Sequence, residues 1–114
     1  MDIALKRAYE PPARGDGARI LVDRLWPRGV KKDALRLDLW LKDIAPSDAL
    51  RREFHAQPGR WNEFRSAYAS ELEGSEVLAQ LRTLCRKRRV TLLYASKGEV
   101  HNNAVALRDL MRSA

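Results

Sequence analysis

Two short apolar runs constrain the fold of this chain more than any other feature. Arg19–Asp23 carries Ile20, Leu21 and Val22 between two charged residues, and Val90–Ala95 is similarly apolar. Apolar runs rich in β-branched residues are typical of inner strands that are covered on both faces. Helices must then cover such a sheet, so the sequence predicts an α/β fold with a small, at least partly parallel sheet.

Shorter signals predict the other elements. Ile3–Arg7 alternates apolar and polar residues and is predicted as the first strand. Leucine at every second position predicts a further strand over Leu35–Lys42. Capping residues and periodic apolar positions predict helices. The predicted helices are a short one from Ser47 through Phe54, then Pro58 to Leu72, Ser75 to Arg89, and about Asn103 to Met111.

With the short helix from Ser47 through Phe54 left out, these elements predict the order β-β-β-α-α-β-α in one compact domain spanning residues 1–114. No internal repeat or long linker divides the chain. The single cysteine, Cys85, excludes an internal disulfide and fits a reducing compartment. No spacing of histidine, cysteine or acidic residues predicts a metal site, and no cofactor motif is complete. We expect no cofactor, no membrane partner and a soluble protein in the cytoplasm, since no apolar run approaches about 20 residues.

The basic balance points toward anions. Lysine and arginine number 22 against 15 acidic residues, a formal charge of +7, and arginine dominates. The planar guanidinium suits bidentate contacts with carboxylate or phosphate groups. An anionic small molecule is therefore the first predicted partner, with the oligomeric state left open.

Two polar segments leave the carboxyl ends of the two most buried strands, Asp23–Val30 and Ser96–Asn103. Ligand sites of α/β sheets gather at such ends. The segments predict a phosphate- or carboxylate-binding site, with enzymatic activity left open, in which His101 is the candidate for proton transfer. The predicted site residues are His101 and Asp23 as catalytic groups, and Arg24, Trp26, Arg28, Ser96, Lys97 and Asn102 as ligand-binding groups.

Each of these residues also has a purely structural interpretation. Asp23 and Arg24 could form an ion pair that closes a strand, and Trp26 could pack in the core. His101 could serve only as a hydrogen-bonding residue at a helix start. Either asparagine of the pair 102–103 can cap the last helix, which would leave the other available to a ligand.

A nucleic-acid-associated or regulatory binding module is the alternative function. It would use a basic surface of residues outside the two segments, and its binding would depend steeply on salt. No helix-turn-helix or aromatic-basic strand motif supports it. The basic residues concerned are Arg51, Arg52, Arg82, Arg86, Lys87, Arg88 and Arg89.

Several segments together resemble the YeaO-like family, a bacterial branch of domain of unknown function 488. The longest is Arg19–Val30, which contains the motif Val22–Gly29, and the similarity extends over nearly the whole chain. The resemblance implies a compact α/β domain and brings no activity with it. Other branches of the wider group carry a cysteine near the last helix start, where this chain has Val100–Asn102, so thiol chemistry is not expected there. The other segments are Leu39–Ser47, Arg60–Phe64, Thr91–Lys97 and His101–Ala104.

Overall fold

A computed structural model describes residues 1–113 and shows an α/β fold built on one four-stranded sheet. The spatial order of the strands is β1-β4-β2-β3, and each neighbouring pair is parallel. The predicted α/β class is confirmed, and the sheet is parallel throughout. The strands are β1 (Ile3–Arg7), β2 (Ala18–Leu21), β3 (Leu39–Trp40) and β4 (Val90–Tyr94).

Five helices accompany the sheet within residues 1–113. All three helices predicted between β3 and β4 are present, and one short helix is added before β3. Ser47 and Ser75 accept hydrogen bonds from the backbone N–H three residues onward, as predicted caps do. No helix within residues 1–113 combines the length and apolarity needed to cross a membrane. The helices are α1 (Lys32–Leu35), α2 (Asp48–Ala56), α3 (Trp61–Glu71), α4 (Glu76–Lys87) and α5 (Asn103–Arg112).

The predicted strand over Leu35–Lys42 is wrong over most of its length. Its first residue ends α1, the next residue, Arg36, takes a left-handed conformation with φ 49°, and only Leu39–Trp40 pairs with β2. Asp38 instead binds the neighbouring strand from a turn, since its carboxylate accepts a hydrogen bond from the Arg19 N–H at 2.8 Å. The alternating leucines therefore lie in a helix end, a loop and a short strand rather than in one strand.

The two faces of the sheet are covered unequally. Side chains such as Ile20, Val22 and Leu92 point into the main core beneath helices α2 to α5. Leu21 and Leu93 point to the other face, where they pack with Leu35 in a smaller cluster. This alternation follows from the period of two along a strand, and it explains why β2 and β4 are apolar at successive positions.

Ion pairs and hydrogen bonds close the N-terminal edge of the sheet. Asp16 lies between Lys6 and Arg19, and Arg89 pairs with Asp2. Burial raises the pKa of the Asp16 carboxyl, but hydrogen bonds from the Ala13 N–H, Lys6 and Arg19 outweigh that effect and hold the pKa at about 2. Lys6, Arg19 and Arg89 are therefore paired with carboxylates within the fold.

Candidate functional site

The carboxyl ends of β2 and β4 lie side by side, because the two strands are parallel neighbours. Asp23 joins the two chain segments that follow them: its Oδ2 accepts a hydrogen bond from the Ala95 N–H at 2.8 Å. Its Oδ1 accepts one from Asn103 Nδ2 at 3.0 Å, and that amide also donates to the Val22 carbonyl at 2.9 Å. The structure thus brings together the two segments in which the sequence predicts a site.

The Asp23 carboxyl is half-buried and held by protein groups. Burial raises its pKa, and the hydrogen bonds from Ala95 and Asn103 counteract that rise. Within residues 1–113 no salt bridge joins Asp23 to Arg24, so the ion pair considered from the sequence does not form. Asp23 connects β2, β4 and the start of α5.

The two asparagines at the start of α5 have separate roles. Asn102 is the cap: its Oδ1 accepts a hydrogen bond from the Val105 N–H at 2.9 Å, and its Nδ2 donates to the Gly98 carbonyl at 2.8 Å. It is buried, so its amide is committed to the fold. Asn103 is the one that reaches Asp23. The sequence left this choice open.

We call the residues that close or follow the four strands, 7–10, 22–30, 41–46 and 95–103, the C-terminal edge. Arg24 lies there with its Nη2 3.5 Å from the Pro46 carbonyl oxygen, and Arg28 and Lys97 are exposed. The structure adds Arg7, whose guanidinium donates to the Ser96 carbonyl at 2.9 Å and to the Ala95 carbonyl at 3.2 Å. Basic side chains from separate strands therefore lie at one end of the sheet.

Basic residues of the C-terminal edge lack carboxylate partners, unlike Lys6, Arg19 and Arg89. Five basic residues belong to the edge, and within residues 1–113 none has a carboxylate oxygen within 4.0 Å. The exposed acids Glu10, Asp43 and Glu99 also belong to this edge. With Asp23, whose oxygens accept hydrogen bonds from Ala95 and Asn103, the edge has five basic and four acidic residues, a formal excess of +1. Its basic residues are Arg7, Arg24, Arg28, Lys42 and Lys97.

Trp26 packs against the smaller core cluster. Its ring meets that of Trp40 edge to face, with centroids 5.3 Å apart and planes at 68°. The Trp26 indole donates a hydrogen bond to the Val30 carbonyl at 2.6 Å, and the Trp40 indole donates to the Asp23 carbonyl at 2.7 Å. The Lys42 Nζ lies 4.1 Å from the centroid of the Trp40 ring. This tryptophan pair holds the 23–30 segment against the sheet.

His101 stacks on Trp61. The ring centroids are 4.4 Å apart and the planes are inclined by 13°, while the imidazole remains exposed. The contact fixes the segment before α5 to the start of α3. Ser96 is also exposed, and its hydroxyl lies 3.4 Å from the Gly98 carbonyl.

A groove elsewhere on the molecule involves different residues. A groove of about 400 Å³ lies between α3 and α5, and its lining includes Arg65, Tyr68 and Asp109 but none of the residues predicted for the site. Within residues 1–113 no group of three or more histidine, cysteine or acidic side chains is placed to hold a metal ion.

Sequence reasoning missed Arg7, Lys42 and the role of Asn103 at the C-terminal edge. Arg7 closes β1, and only the strand order shows that β1 lies beside β4. Lys42 follows β3, whose position beside β2 was equally hidden. For Asn103, the adjacent asparagines gave the signal but not which of them caps the helix.

Comparisons with known proteins agree with the resemblance seen in the sequence. The family described as "Inactive DUF488-N3 subclade" matches residues 2–114. "Uncharacterized protein YeaO" of Escherichia coli (strain K12) is 46% identical over 114 residues, which cover 99% of each chain. "Uncharacterized protein Rv3073c" of Mycobacterium tuberculosis (strain ATCC 25618 / H37Rv) is 42% identical over 109 residues, covering 96% of this chain and 92% of the relative. No solved structure matches the chain.

Proposed function

The chain belongs to the inactive DUF488-N3 subclade, and we propose that it binds an anionic ligand at the C-terminal edge of its sheet. The ligand carries a phosphate or carboxylate group. The description of the family as inactive directs the proposal toward binding, and binding alone is what the proposal requires.

The meeting of basic side chains from all four strand ends carries this proposal. Lys6, Arg19 and Arg89 are paired with Asp16 and Asp2, whereas the basic side chains at the C-terminal edge have no carboxylate within 4.0 Å in the part of the chain that the structure describes. A guanidinium that lacks a carboxylate partner is available to form charge-assisted hydrogen bonds with a bound anion. Such bonds are roughly twice as strong as neutral ones, so a few suffice for selective binding.

The framework behind these side chains supports the proposal, because a preformed site loses less freedom when it binds. Asp23 connects the segments that carry Arg24 and Lys97, and Asn102 fixes the start of α5. Arg7 holds the chain at Ala95 and Ser96 from the side of β1. We assign a positioning role to Asp23 and Asn102. We assign direct contact with the anion to Arg24, Arg28 and Lys97.

A catalytic role of His101 and Asp23 stays a prediction. The imidazole is exposed and stacks on Trp61, while the Asp23 oxygens are occupied by Ala95 and Asn103. If a substrate is found, the pH profile of turnover by His101→Gln, compared with the unaltered protein, tests that role directly.

The proposal is tested by isothermal titration calorimetry with inorganic phosphate, pyrophosphate and citrate. The double variant Arg24→Ala/Lys97→Ala removes two basic groups from the edge. The double variant Arg86→Ala/Lys87→Ala removes the same charge from the exposed last turn of α4 and serves as the control. We expect saturable binding of at least one anion, weakened at least about tenfold in the first variant and unchanged in the second.

Two results would contradict the proposal. Equal weakening in both variants would mean that net charge alone attracts the anions. Stronger weakening in the α4 variant would move binding to the basic surface of the nucleic-acid alternative. That alternative is less supported, since Arg51 and Arg89 of its surface pair with Asp48 and Asp2.

A further inference from the structure

Exposed apolar side chains concentrate at the same edge as the unpaired basic residues. Among residues 1–113 the large apolar side chains that stand in solvent are four, and Tyr9, Leu25 and Val100 belong to the C-terminal edge. Leu25 is 73% exposed and Val100 is 74% exposed, so neither contributes much to the core. Met1, the fourth, lies at the opposite end.

The three apolar residues follow three adjacent strands. Tyr9 follows β1, Val100 follows β4 and Leu25 follows β2, and these strands are neighbours in the order β1-β4-β2. Neighbouring strands are about 4.8 Å apart, so the three chain segments leave the sheet within a width of roughly 10 Å. Apolar groups grouped in this way mark an interaction surface more often than scattered ones do.

We propose that the C-terminal edge docks an acidic, apolar segment of a partner protein, and this inference rests on the proposed function. Carboxylates of that segment are the anions that Arg24, Arg28 and Lys97 bind, and its apolar side chains cover Leu25 and Val100. A small inorganic anion would leave those two side chains in water. A peptide segment satisfies both sets of groups at once.

The composition of the edge fits this occupant. Protein interfaces are enriched in arginine and aromatic residues, which supply most of the binding energy at interface centres. Arg7 and Tyr9 already form such a pair, with the guanidinium carbon 5.1 Å from the ring centroid. The net charge of +7 also favours encounter with an acidic partner.

A second copy of this chain is the competing occupant of the edge. In a symmetric dimer the same surface meets itself, so the basic residues of one copy could pair only with the edge acids of the other. The edge has five basic residues but only three exposed acids, Glu10, Asp43 and Glu99. An acidic segment of another protein pairs with more of these basic residues, so complementarity favours a partner of opposite charge.

The experiment measures fluorescence anisotropy with two labelled probes of equal charge. In the first peptide Glu alternates with Leu, and in the second Ser replaces every Leu. We expect the unaltered protein to bind the Glu-Leu peptide at least about tenfold more tightly, because burial of Leu25 and Val100 against the probe adds affinity. The variant Leu25→Ser/Val100→Ser should lose this difference while its citrate affinity stays the same. Both replaced side chains are exposed, so the fold is retained, and circular dichroism verifies this.

The outcomes separate the inference from the proposed function. Equal affinity for both peptides, with citrate still bound through Arg24 and Lys97, would overturn the partner surface alone. Unchanged affinity of Arg24→Ala/Lys97→Ala for both peptides and for citrate would overturn the proposed function. Tighter binding of a single-stranded oligonucleotide through Leu25 and Val100 than of the Glu-Leu peptide would replace the protein partner by nucleic acid and so refute the inference.

Discussion

Replacement of Asp23 by alanine should destabilise the protein through loss of the link between the ends of β2 and β4. In Asp23→Ala the Ala95 N–H loses its acceptor, and Asn103 keeps only the Val22 carbonyl. A buried donor left without a partner costs about 1–3 kcal/mol, and relief from burying a carboxyl group offsets part of this, so we expect a loss of about 2 kcal/mol. For a domain of this size that loss lowers the midpoint of thermal unfolding by about 8 °C.

Urea unfolding followed by tryptophan fluorescence measures this loss. Asp23→Asn keeps one acceptor oxygen and should lose about 1 kcal/mol. Asp43→Ala is the matched control, since its carboxylate is exposed at the same edge and its loss should stay within about 0.5 kcal/mol. If Asp23→Ala unfolds at the same urea concentration as the control, the hydrogen bonds of Asp23 do not hold the two segments together.

The pH dependence of stability gives a second test of the Asp23 environment. Because burial raises its pKa in the folded state, the folded protein binds more protons than the unfolded chain above the ordinary carboxyl pKa of about 4. The contribution of Asp23 to stability is therefore full below that value and falls as pH rises through the folded-state pKa. In Asp23→Asn this fall should be absent. A fall of equal size in the variant would assign it to another group.

Three further outcomes follow from the same contacts. Asp16, with its pKa lowered to about 2, should contribute about 2 kcal/mol to the free energy of unfolding above pH 4, and this contribution is lost as pH falls toward 2. In urea titrations Asp16→Asn should lack this loss, and an equal loss of stability at acid pH in the variant would contradict the assignment. Gly17→Ala should lower the free energy of unfolding by more than about 2 kcal/mol, because φ is +65° and the new Cβ would overlap the Arg89 carbonyl. The control is Gly15→Ala, whose new Cβ meets no atom within 4 Å, and similar unfolding midpoints for the two variants would refute the clash. Asn102→Ala should lower the free energy of unfolding by about 1 kcal/mol and speed hydrogen exchange in the first turn of α5. Asn62→Ala, at an exposed position, is the control, and slow exchange retained in Asn102→Ala would show that the cap is dispensable.

The strongest local signals in the sequence identified the two inner strands of the sheet and two helix caps. β2 and β4 were predictable because strands covered on both faces must be apolar at successive positions. The caps Ser47 and Ser75 were predictable because a hydroxyl at a helix start has one favoured partner, the backbone N–H three residues onward. The strand over Leu35–Lys42 failed because alternate leucines are buried there by a helix end and a turn as well as by a strand. A period of two does not distinguish these causes.

The candidate site was predictable only in part. Asp23 and Lys97 were found because polar residues directly after buried strands share one edge. Arg7 was not, because its contact with Ser96 spans 89 residues and depends on β1 pairing with β4 rather than with β2. Long-range strand order is a property of the packed sheet, and no local pattern encodes it.

Amide chemical-shift mapping by NMR during a citrate titration locates the bound anion on the protein. We expect saturable shifts concentrated in residues 23–28 and 95–103, where the unpaired basic side chains meet the start of α5. Shifts concentrated instead at Arg86–Arg89, or spread evenly over all basic residues, would contradict it.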